Sequence, residues 1–142
     1  MQIQRDGYII DTDRARLDLD VIHDFLANQS YWAQGRSQAR VQTALDNSLC
    51  FGVYTEAGEQ VGLARVVTDH ATFAWICDVF IVPAHRGRGL SKWLVQEVVA
   101  YPKLQGLKHL LLATRDAHTL YQKYGGFEIM EDMGRYLHRD TL

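Results

Sequence analysis

The sequence has few of the features that mark specialised classes of protein. In 142 residues there are two cysteines, two prolines and a formal net charge of only −2. Because no charge of one sign dominates, no overall field draws the chain to nucleic acid or to an anionic membrane. Its apolar runs are shorter than the roughly 18 residues of a membrane-spanning helix, and residues 1–6 lack the apolar centre of a signal peptide. We therefore expect a cytoplasmic protein with no nucleic-acid partner and no membrane partner.

Metal and redox chemistry have little support in the sequence. Cys50 and Cys77 lie in apolar segments, and their separation matches neither a metal-ligand pair nor a redox pair. Cysteines in such surroundings are typically reduced thiols packed in the core. The six histidines are scattered without metal-ligand spacing, so we predict no metal. His118 is the histidine of most interest, because it precedes Tyr121 by three residues on a predicted helix.

Length and hydrophobic pattern predict one domain that spans residues 1–142, with 47% hydrophobic residues and no repeat or linker. Apolar periodicity and turn residues predict six strands and four helices. The strands are expected at 8–10, 49–55, 60–67, 72–82, 107–113 and 127–130, and the helices near 18–26, 37–45, 89–101 and 116–124. The strands on either side of the helix that begins at Gly89 form a parallel crossover. The sheet should therefore be mixed, within an α/β architecture.

The most informative segment is a basic, glycine-rich turn, Pro83-Ala84-His85-Arg86-Gly87-Arg88-Gly89-Leu90-Ser91-Lys92. It lies between a buried strand and an amphipathic helix. In that position, successive backbone N–H groups converge on one point and the helix N-terminus adds positive potential. Such a turn suits a pyrophosphate. It is not a P-loop, since it lacks the Gly-Lys-Ser/Thr ending, and it lacks the three spaced glycines of a dinucleotide fingerprint.

With the strand before it (Asp78-Val79-Phe80-Ile81-Val82), this turn resembles the acyl-CoA-binding signature of the GNAT superfamily of N-acetyltransferases. Arg86 and Gly89 match the signature, and Ser91 replaces its last small residue. Downstream, residues 120–127 (Leu-Tyr-Gln-Lys-Tyr-Gly-Gly-Phe) resemble the family's Tyr-x-Lys-x-Gly-Phe segment, with one extra glycine before Phe127. The resemblance covers nearly the whole chain. It implies an α/β (α+β) fold in which a mixed central sheet of six to seven strands is flanked by about four helices, with a splayed central strand pair.

The resemblance further implies transfer of an acetyl group from acetyl-CoA to a primary amine of a small molecule or peptide. Acetyl-CoA would be the cosubstrate, with its pantetheine arm in the gap beside the central strand and its pyrophosphate on the turn. The residues expected to bind it are Val79, Phe80, Ile81, Arg86, Gly87, Arg88, Gly89, Leu90, Ser91 and Lys92. A non-catalytic acyl-CoA-binding module on the same fold is the main alternative. Nucleic-acid binding through Arg86 and Arg88 is disfavoured by the net charge.

Amine acylation requires a neutral amine, a stabilised oxyanion and a thiolate that can leave. By the resemblance, Tyr121 is the general acid for the thiolate, since a phenol is protonated at neutral pH. Tyr124 is the second candidate, because the extra glycine makes the register ambiguous. Asp78 is the candidate base, with Asp69 a weaker one, and water is the alternative proton acceptor.

The acceptor should be bound by an aromatic loop and by the central strand. We expect Tyr31, Trp32, Arg36 and Trp75 to contact it. Trp32, Trp75 and Phe80 would form the wall around an apolar or cationic ligand, and Arg36 or Arg65 would bind a carboxylate. Aromatic rings can enclose an apolar or cationic group, and an arginine can bind a carboxylate. The sequence identifies no particular amine, and it leaves a homodimer open.

Overall fold

The computed structural model describes residues 1–141. A six-stranded sheet, with strands in the order β1 to β6, carries helices on both faces. The strands are β1 (Gln2–Arg5), β2 (Tyr8–Asp11), β3 (Leu49–Thr55), β4 (Gln60–Thr68), β5 (Phe73–Ile81) and β6 (His109–Leu112). The helices are α1 (Leu19–Asp24), continued by a π-helical turn (Phe25–Gln29), α2 (Gln38–Asp46), α3 (Leu90–Ala100) and α4 (His118–Gly125). No helix within residues 1–141 is both long enough and apolar enough to cross a membrane.

The sheet is mixed, as the sequence predicts. Each strand from β1 to β5 pairs with the next in antiparallel fashion, and β5 pairs with β6 in parallel. Helix α3 connects β5 to β6 and packs on one face, whereas α1 and α2 cover the other. Cys50 and Phe51, neighbours on β3, belong to the two different core clusters, because successive side chains of a strand point to opposite faces. The predicted α/β fold with a mixed sheet and four helices is confirmed.

The two parallel strands separate along their length. Pairing joins Phe73–Ile76 of β5 to His109–Leu112 of β6 and then stops, while β5 continues to Ile81. The Val82 N–H donates to the Val61 carbonyl of β4 at 2.8 Å. Because the residues of a strand bond alternately to one neighbouring strand and to the other, the peptide groups of Val79 and Ile81 face away from β4. The resulting gap beside the second half of β5 is the predicted splay of the central strands.

A β-bulge lies at the point where β5 and β6 part. Leu63 pairs with Phe80 and Arg65 pairs with Cys77, so Ala64 alone faces both Asp78 and Val79. Asp78 has φ +49°, in the left-handed region that side chains other than glycine rarely adopt. A bulge of this kind re-aims side chains and is common beside functional sites.

Two local features differ from the sequence-based expectation. The predicted strand at 127–130 is wrong: these residues do not join the sheet, and the Ile129 side chain is 69% exposed. Strand β1 was not expected, because its residues are mostly polar and exposed. The signal for it is the Asp6-Gly7 pair, whose positive φ angles of 50° and 83° form the tight turn of the β1–β2 hairpin.

Candidate functional site

The turn between β5 and α3 owes its shape to two glycines. Gly87 and Gly89 have φ angles of 78° and 76°, and Gly89 caps the N-terminus of α3. A Cβ atom at either position would find no other heavy atom within 4 Å. The glycines are therefore required by the backbone conformation and not by a lack of space. A side chain at such a position costs roughly 1–2 kcal/mol.

The same turn presents a row of free backbone donors. The first hydrogen bond of α3 runs from the Trp93 N–H to the Gly89 carbonyl at 3.1 Å. Within residues 1–141, none of the N–H groups of residues 87–92 donates to a backbone or side-chain acceptor. Arg86 fixes the turn to the end of β5, because its Nε donates to the Ile81 carbonyl at 2.9 Å. Free N–H groups at the positive end of a helix form a site for a phosphate-type anion.

Two cavities meet beside this turn. The turn cavity, of about 470 Å³, is bounded by the end of β5, the glycine turn and α4. The aromatic cavity, of about 450 Å³, is bounded by β5 from Trp75 to Val79, the loop after the π-helical turn and the segment after β6. The residues that line both cavities are Tyr31, Trp32, Val79, Asp116, Ala117 and Tyr121. A molecule in one cavity could therefore react with a molecule in the other at this boundary.

Tyr121 stands at that boundary. Its side chain is largely buried, and burial raises the pKa of its phenol to about 12, with the ionisable groups of Tyr31 and Asp116 adding to the shift. The hydroxyl makes no hydrogen bond with residues 1–141, yet it is not enclosed away from solvent. A protonated donor that has no partner among the described residues thus opens onto the cavities.

The doubled glycine after α4 has a structural explanation. Gly126 caps α4 with φ +71°, and a Cβ atom on Gly125 would lie 2.8 Å from the Phe127 ring. That ring packs edge-on against Tyr121, with 6.1 Å between ring centroids. Both glycines therefore let the chain fold back so that Phe127 supports Tyr121.

Tyr124, the second candidate acid, faces a different cavity. It lines a cavity of about 350 Å³ together with Arg88 and Lys92 of the turn. The Lys92 ammonium lies 5.3 Å from the centroid of the Tyr124 ring, and its proximity lowers the pKa of the Tyr124 phenol. The two tyrosines are thus separated, and only Tyr121 lines the turn and aromatic cavities.

Asp78 is held in a dense network of donors. Its Oδ2 accepts from Arg65 Nε at 2.8 Å and from Arg36 Nη1 at 2.9 Å. Its Oδ1 accepts from Trp32 Nε1 at 2.8 Å. The carboxylate therefore ties the aromatic loop, through Trp32 and Arg36, to the bulge of β5 and to β4.

The electrostatics of Asp78 follow from this network. Burial by itself raises the pKa of the Asp78 carboxyl, but the two arginines and Trp32 outweigh burial and leave the pKa below its usual value. When every close polar neighbour of a carboxylate donates a hydrogen bond to it, the carboxylate is a weak proton acceptor. This arrangement favours an anchoring role over that of a base.

The remaining candidates occupy varied positions. Trp75 lines the aromatic cavity, whereas Arg36 lines neither cavity and reaches the site through its ion pair with Asp78. Asp69 belongs to the β4–β5 turn, where the Thr72 hydroxyl donates to it at 2.6 Å and lowers its pKa. His118 begins α4 and is exposed. In the part of the chain that the structure describes, no group of three or more His, Cys, Asp or Glu side chains could hold a metal ion.

Sequence reasoning did not identify Arg115 and Asp116, which both line the aromatic cavity. They follow the end of β6 after two intervening residues, Ala113 and Thr114. The signal that could have found them is position, because polar residues just beyond the carboxyl end of a parallel strand face the ligand crevice of such sheets.

Both cysteines are free thiols. Burial raises the pKa of the Cys50 thiol to about 12 and that of the Cys77 thiol to about 11. Cys77 lines the aromatic cavity, but at neutral pH it is protonated and hence a poor nucleophile.

Comparisons with known proteins agree on one family. The family model described as the acetyltransferase (GNAT) family matches residues 16–127. A curated acetyltransferase of Gibberella zeae, FG08082, is 34% identical over 87% of this chain and 81% of its own length. A solved GNAT-family structure from Xanthomonas campestris pv. campestris is 44% identical, covers 97% of this chain and 96% of that one, and superposes with a TM-score of 0.91.

A more distant solved structure shares the fold. An acetyltransferase of Clostridium acetobutylicum, solved with acetyl-CoA, is 14% identical over 94% of each chain and has a TM-score of 0.64.

Proposed function

Because the chain belongs to the GNAT acetyltransferase family, we propose that it transfers the acetyl group of acetyl-CoA to a primary amine of a small molecule or peptide, by direct attack. The observation that carries this proposal is the meeting of two cavities at Tyr121. One cavity contains the free N–H groups of a phosphate-type turn, and the other has aromatic walls of a size suited to a small acceptor.

Acetyl-CoA is proposed to bind along the turn cavity. Its pyrophosphate would accept from the free N–H groups of residues 87–92. Arg88 and Lys92, which line the adjoining cavity of about 350 Å³, would add positive charge nearby. Its pantetheine arm would lie in the gap beside β5, where the peptide groups of Val79 and Ile81 face away from β4. The fold neighbour from Clostridium acetobutylicum, solved with acetyl-CoA, supports this choice of cosubstrate.

In the reaction proposed, the amine nitrogen attacks the thioester carbonyl from the aromatic cavity and forms the N–C bond. The Val79 N–H would donate to the oxygen that gains negative charge. The C–S bond then breaks, and the Tyr121 hydroxyl donates to the departing sulfur. The raised pKa of Tyr121 keeps this hydroxyl protonated throughout the neutral range.

The amine proton is proposed to leave through water, with Asp78 as an anchor. Both oxygens of Asp78 accept from Trp32, Arg36 or Arg65, and its pKa is lowered. Direct attack is preferred to an acetyl-cysteine intermediate, because the raised pKa of Cys77 opposes formation of a thiolate.

The proposal is tested by release of free CoA thiol from acetyl-CoA. The acceptors to be screened are amino acids, polyamines, aminoglycosides and peptide N-termini, each against a blank without amine. An enzyme should release thiol with at least one class of amine. Stabilisation of the fold by CoA on heating, without thiol release from any amine, would instead establish the non-catalytic acyl-CoA-binding module.

We further propose a homodimer and a cytoplasmic location. The outer edge of β6 is unpaired within residues 1–141, and apolar side chains are exposed beside it, which favours self-association. The two free thiols are typical of a reducing compartment.

A further inference from the structure

Arg115 lies on the wall of the aromatic cavity, where it is exposed to solvent and packs against one aromatic ring. Its guanidinium carbon stands 3.7 Å from the centroid of the Tyr31 ring. Its own backbone N–H donates to the Tyr31 hydroxyl at 3.3 Å. The face of the guanidinium is thus occupied by an aromatic ring, which holds the side chain at the cavity.

The in-plane N–H groups of this guanidinium have no acceptor among the residues that the structure describes. Within residues 1–141, Arg115 forms no ion pair and its side chain donates no hydrogen bond, although Asp116 is the next residue. Arg36 and Arg65, in contrast, are both committed to Asp78. A stacked guanidinium with a free edge presents the fork of donors that matches a planar carboxylate.

The neighbouring carboxylate of Asp116 restricts the chemical class of the ligand further. Asp116 lines both cavities, so it places a negative charge where the amine must approach the acetyl group. Asp116 would repel a dianion such as a phosphate monoester more strongly than a carboxylate, whose single negative charge matches the single positive charge of Arg115. An ammonium group in the same molecule would be attracted to Asp116.

From this pairing we infer that Arg115 is a carboxylate-binding residue of the acceptor site, and that the acceptor is an amino acid-type molecule that carries both an amine and a carboxylate. This inference rests on the proposed function and adds the substrate class to it. The aromatic walls of Tyr31, Trp32 and Trp75 would contact the apolar part of such an acceptor.

Matched acid and amide acceptors test the inference. Each amino acid in a panel is compared with its carboxamide, which keeps the amine and side chain and loses only the negative charge. Wild-type protein should prefer the acid by about 10-fold or more in kcat/KM, the scale of one charged hydrogen bond. The amine of a carboxamide is the less basic and is neutral at lower pH, so amine reactivity alone would give the opposite order. Equal use of acid and amide would overturn the inference.

Arg115→Gln should remove this preference by raising KM for the acid, while KM for the amide and the affinity for acetyl-CoA stay unchanged. Arg40→Gln, at an exposed position on α2, is the charge-matched control and should behave like wild type. An equal loss for acid and amide in Arg115→Gln would show that Arg115 only supports the fold, and would also overturn the inference.

Binding of products separates this inference from the proposed function. N-acetyl amino acids should stabilise wild-type protein on heating more than their amides do, and should lose this advantage in Arg115→Gln. If no amine releases CoA but N-acetyl amino acids still stabilise the wild type more than their amides do, only the proposed transfer is contradicted. Equal stabilisation by acid and amide would overturn the carboxylate site.

Discussion

The Tyr121 hydroxyl has a raised pKa, forms no hydrogen bond with residues 1–141 and lies where the two cavities meet. Tyr121→Phe deletes this hydroxyl and changes little else. As the donor to the leaving sulfur, it should contribute about 10²- to 10⁴-fold to kcat, with the affinity for acetyl-CoA unchanged. Steady-state kinetics with thiol detection measure the effect.

Tyr124→Phe is the matched control, because Tyr124 faces the cavity that contains Arg88 and Lys92. We expect it to be nearly silent in kcat. Near wild-type turnover of Tyr121→Phe beside a crippled Tyr124→Phe would mean that the acid is Tyr124. Full activity in both variants would remove the general-acid role altogether.

Asp78→Asn tests whether the buried carboxylate is an anchor or a base. The change leaves Arg36 and Arg65, both mostly buried, without their counter-charge, and loss of one partner of a buried pair costs about 3–5 kcal/mol. The amide still accepts hydrogen bonds, so we expect the lower end of that range and a melting temperature lower by roughly 10 °C. Asp46→Asn, which breaks an exposed pair with Arg14, should cost at most about 1 kcal/mol.

The difference in stability between wild type and Asp78→Asn should change with pH in a definite direction. The pKa of Asp78 is lowered in the folded protein, so its stabilising effect is complete above the unfolded pKa of about 4 and is lost as the pH falls below it. The gap in stability between wild type and Asp78→Asn should therefore be constant from neutral pH down to about 5 and shrink under more acidic conditions. If Asp78 is an anchor, the acidic limb of the pH–rate profile should lie at the same pH in Asp78→Asn as in the wild type. Loss of that limb in Asp78→Asn would restore Asp78 as the base.

The turn between β5 and α3 is the element on which we expect cosubstrate binding to depend. Gly89→Ala puts a side chain at φ +76° and should distort the turn that directs the N–H groups of residues 87–92. We expect a stability cost of roughly 1–2 kcal/mol together with loss of most of the thermal stabilisation by CoA.

Gly106→Ala provides the control at the level of the element. Gly106 has φ +74° and equally open surroundings, in the loop before β6, so its replacement should cost similar stability. It lies outside the turn, and stabilisation by CoA should persist. Equal retention of CoA stabilisation in both variants would contradict the assignment of the turn as the pyrophosphate site.

The elements that the sequence could predict are those with strong local signals. Helix α3 follows from its apolar periodicity between Gly89 and Pro102, and α1 and α2 begin at the caps Asp18 and Ser37, whose side chains accept from N–H groups of the first turn. The segment 127–130 has the pattern of a strand, but a strand also needs a partner edge. A single sequence does not contain that information.

The site was predictable in its backbone parts and not in its side-chain contacts. The glycine turn and Tyr121 follow from local motifs. Asp78 is bonded to Arg65, Arg36 and Trp32, which lie 13, 42 and 46 positions away from it in the sequence. This network also depends on the β-bulge in β5, which no local sequence pattern predicts. The stacking of Arg115 on Tyr31 spans 84 positions, which only the fold brings together.

At the scale of the whole molecule, the sheet positions both the proposed cosubstrate site and the proposed acceptor site. Antiparallel strands β1 to β5 form a continuous support, and the parallel partner β6 ends early, so the gap opens beside the bulge. The turn, the bulge and the start of α4 therefore converge at one end of β5. In the proposed reaction, the acceptor and the acetyl group would approach each other there, from the two cavities that meet at Tyr121.

The opposite side of β6 bears on the assembly of the molecule. Its outer edge has no strand partner within residues 1–141. A cavity of about 520 Å³ beside it is lined by β6, α4 and the segment from Phe127 to Tyr136. In and after that segment, Ile129 is 69%, Met133 60% and Leu137 96% exposed. An open edge beside apolar side chains is a template for another strand, and a second copy can supply both features under two-fold symmetry.

We therefore predict a dimer through the β6 edge, with a mass in light scattering of twice that of one chain. Replacing both Ile129 and Leu137 by Glu should convert it to monomer, because the new charges would be buried without partners in the interface. Val67→Glu adds an acid at another exposed apolar position, on β4, and should leave the dimer intact. A wild-type monomer at the highest soluble concentration, or a double variant that still dimerises, would show that the β6 edge is not where two copies meet.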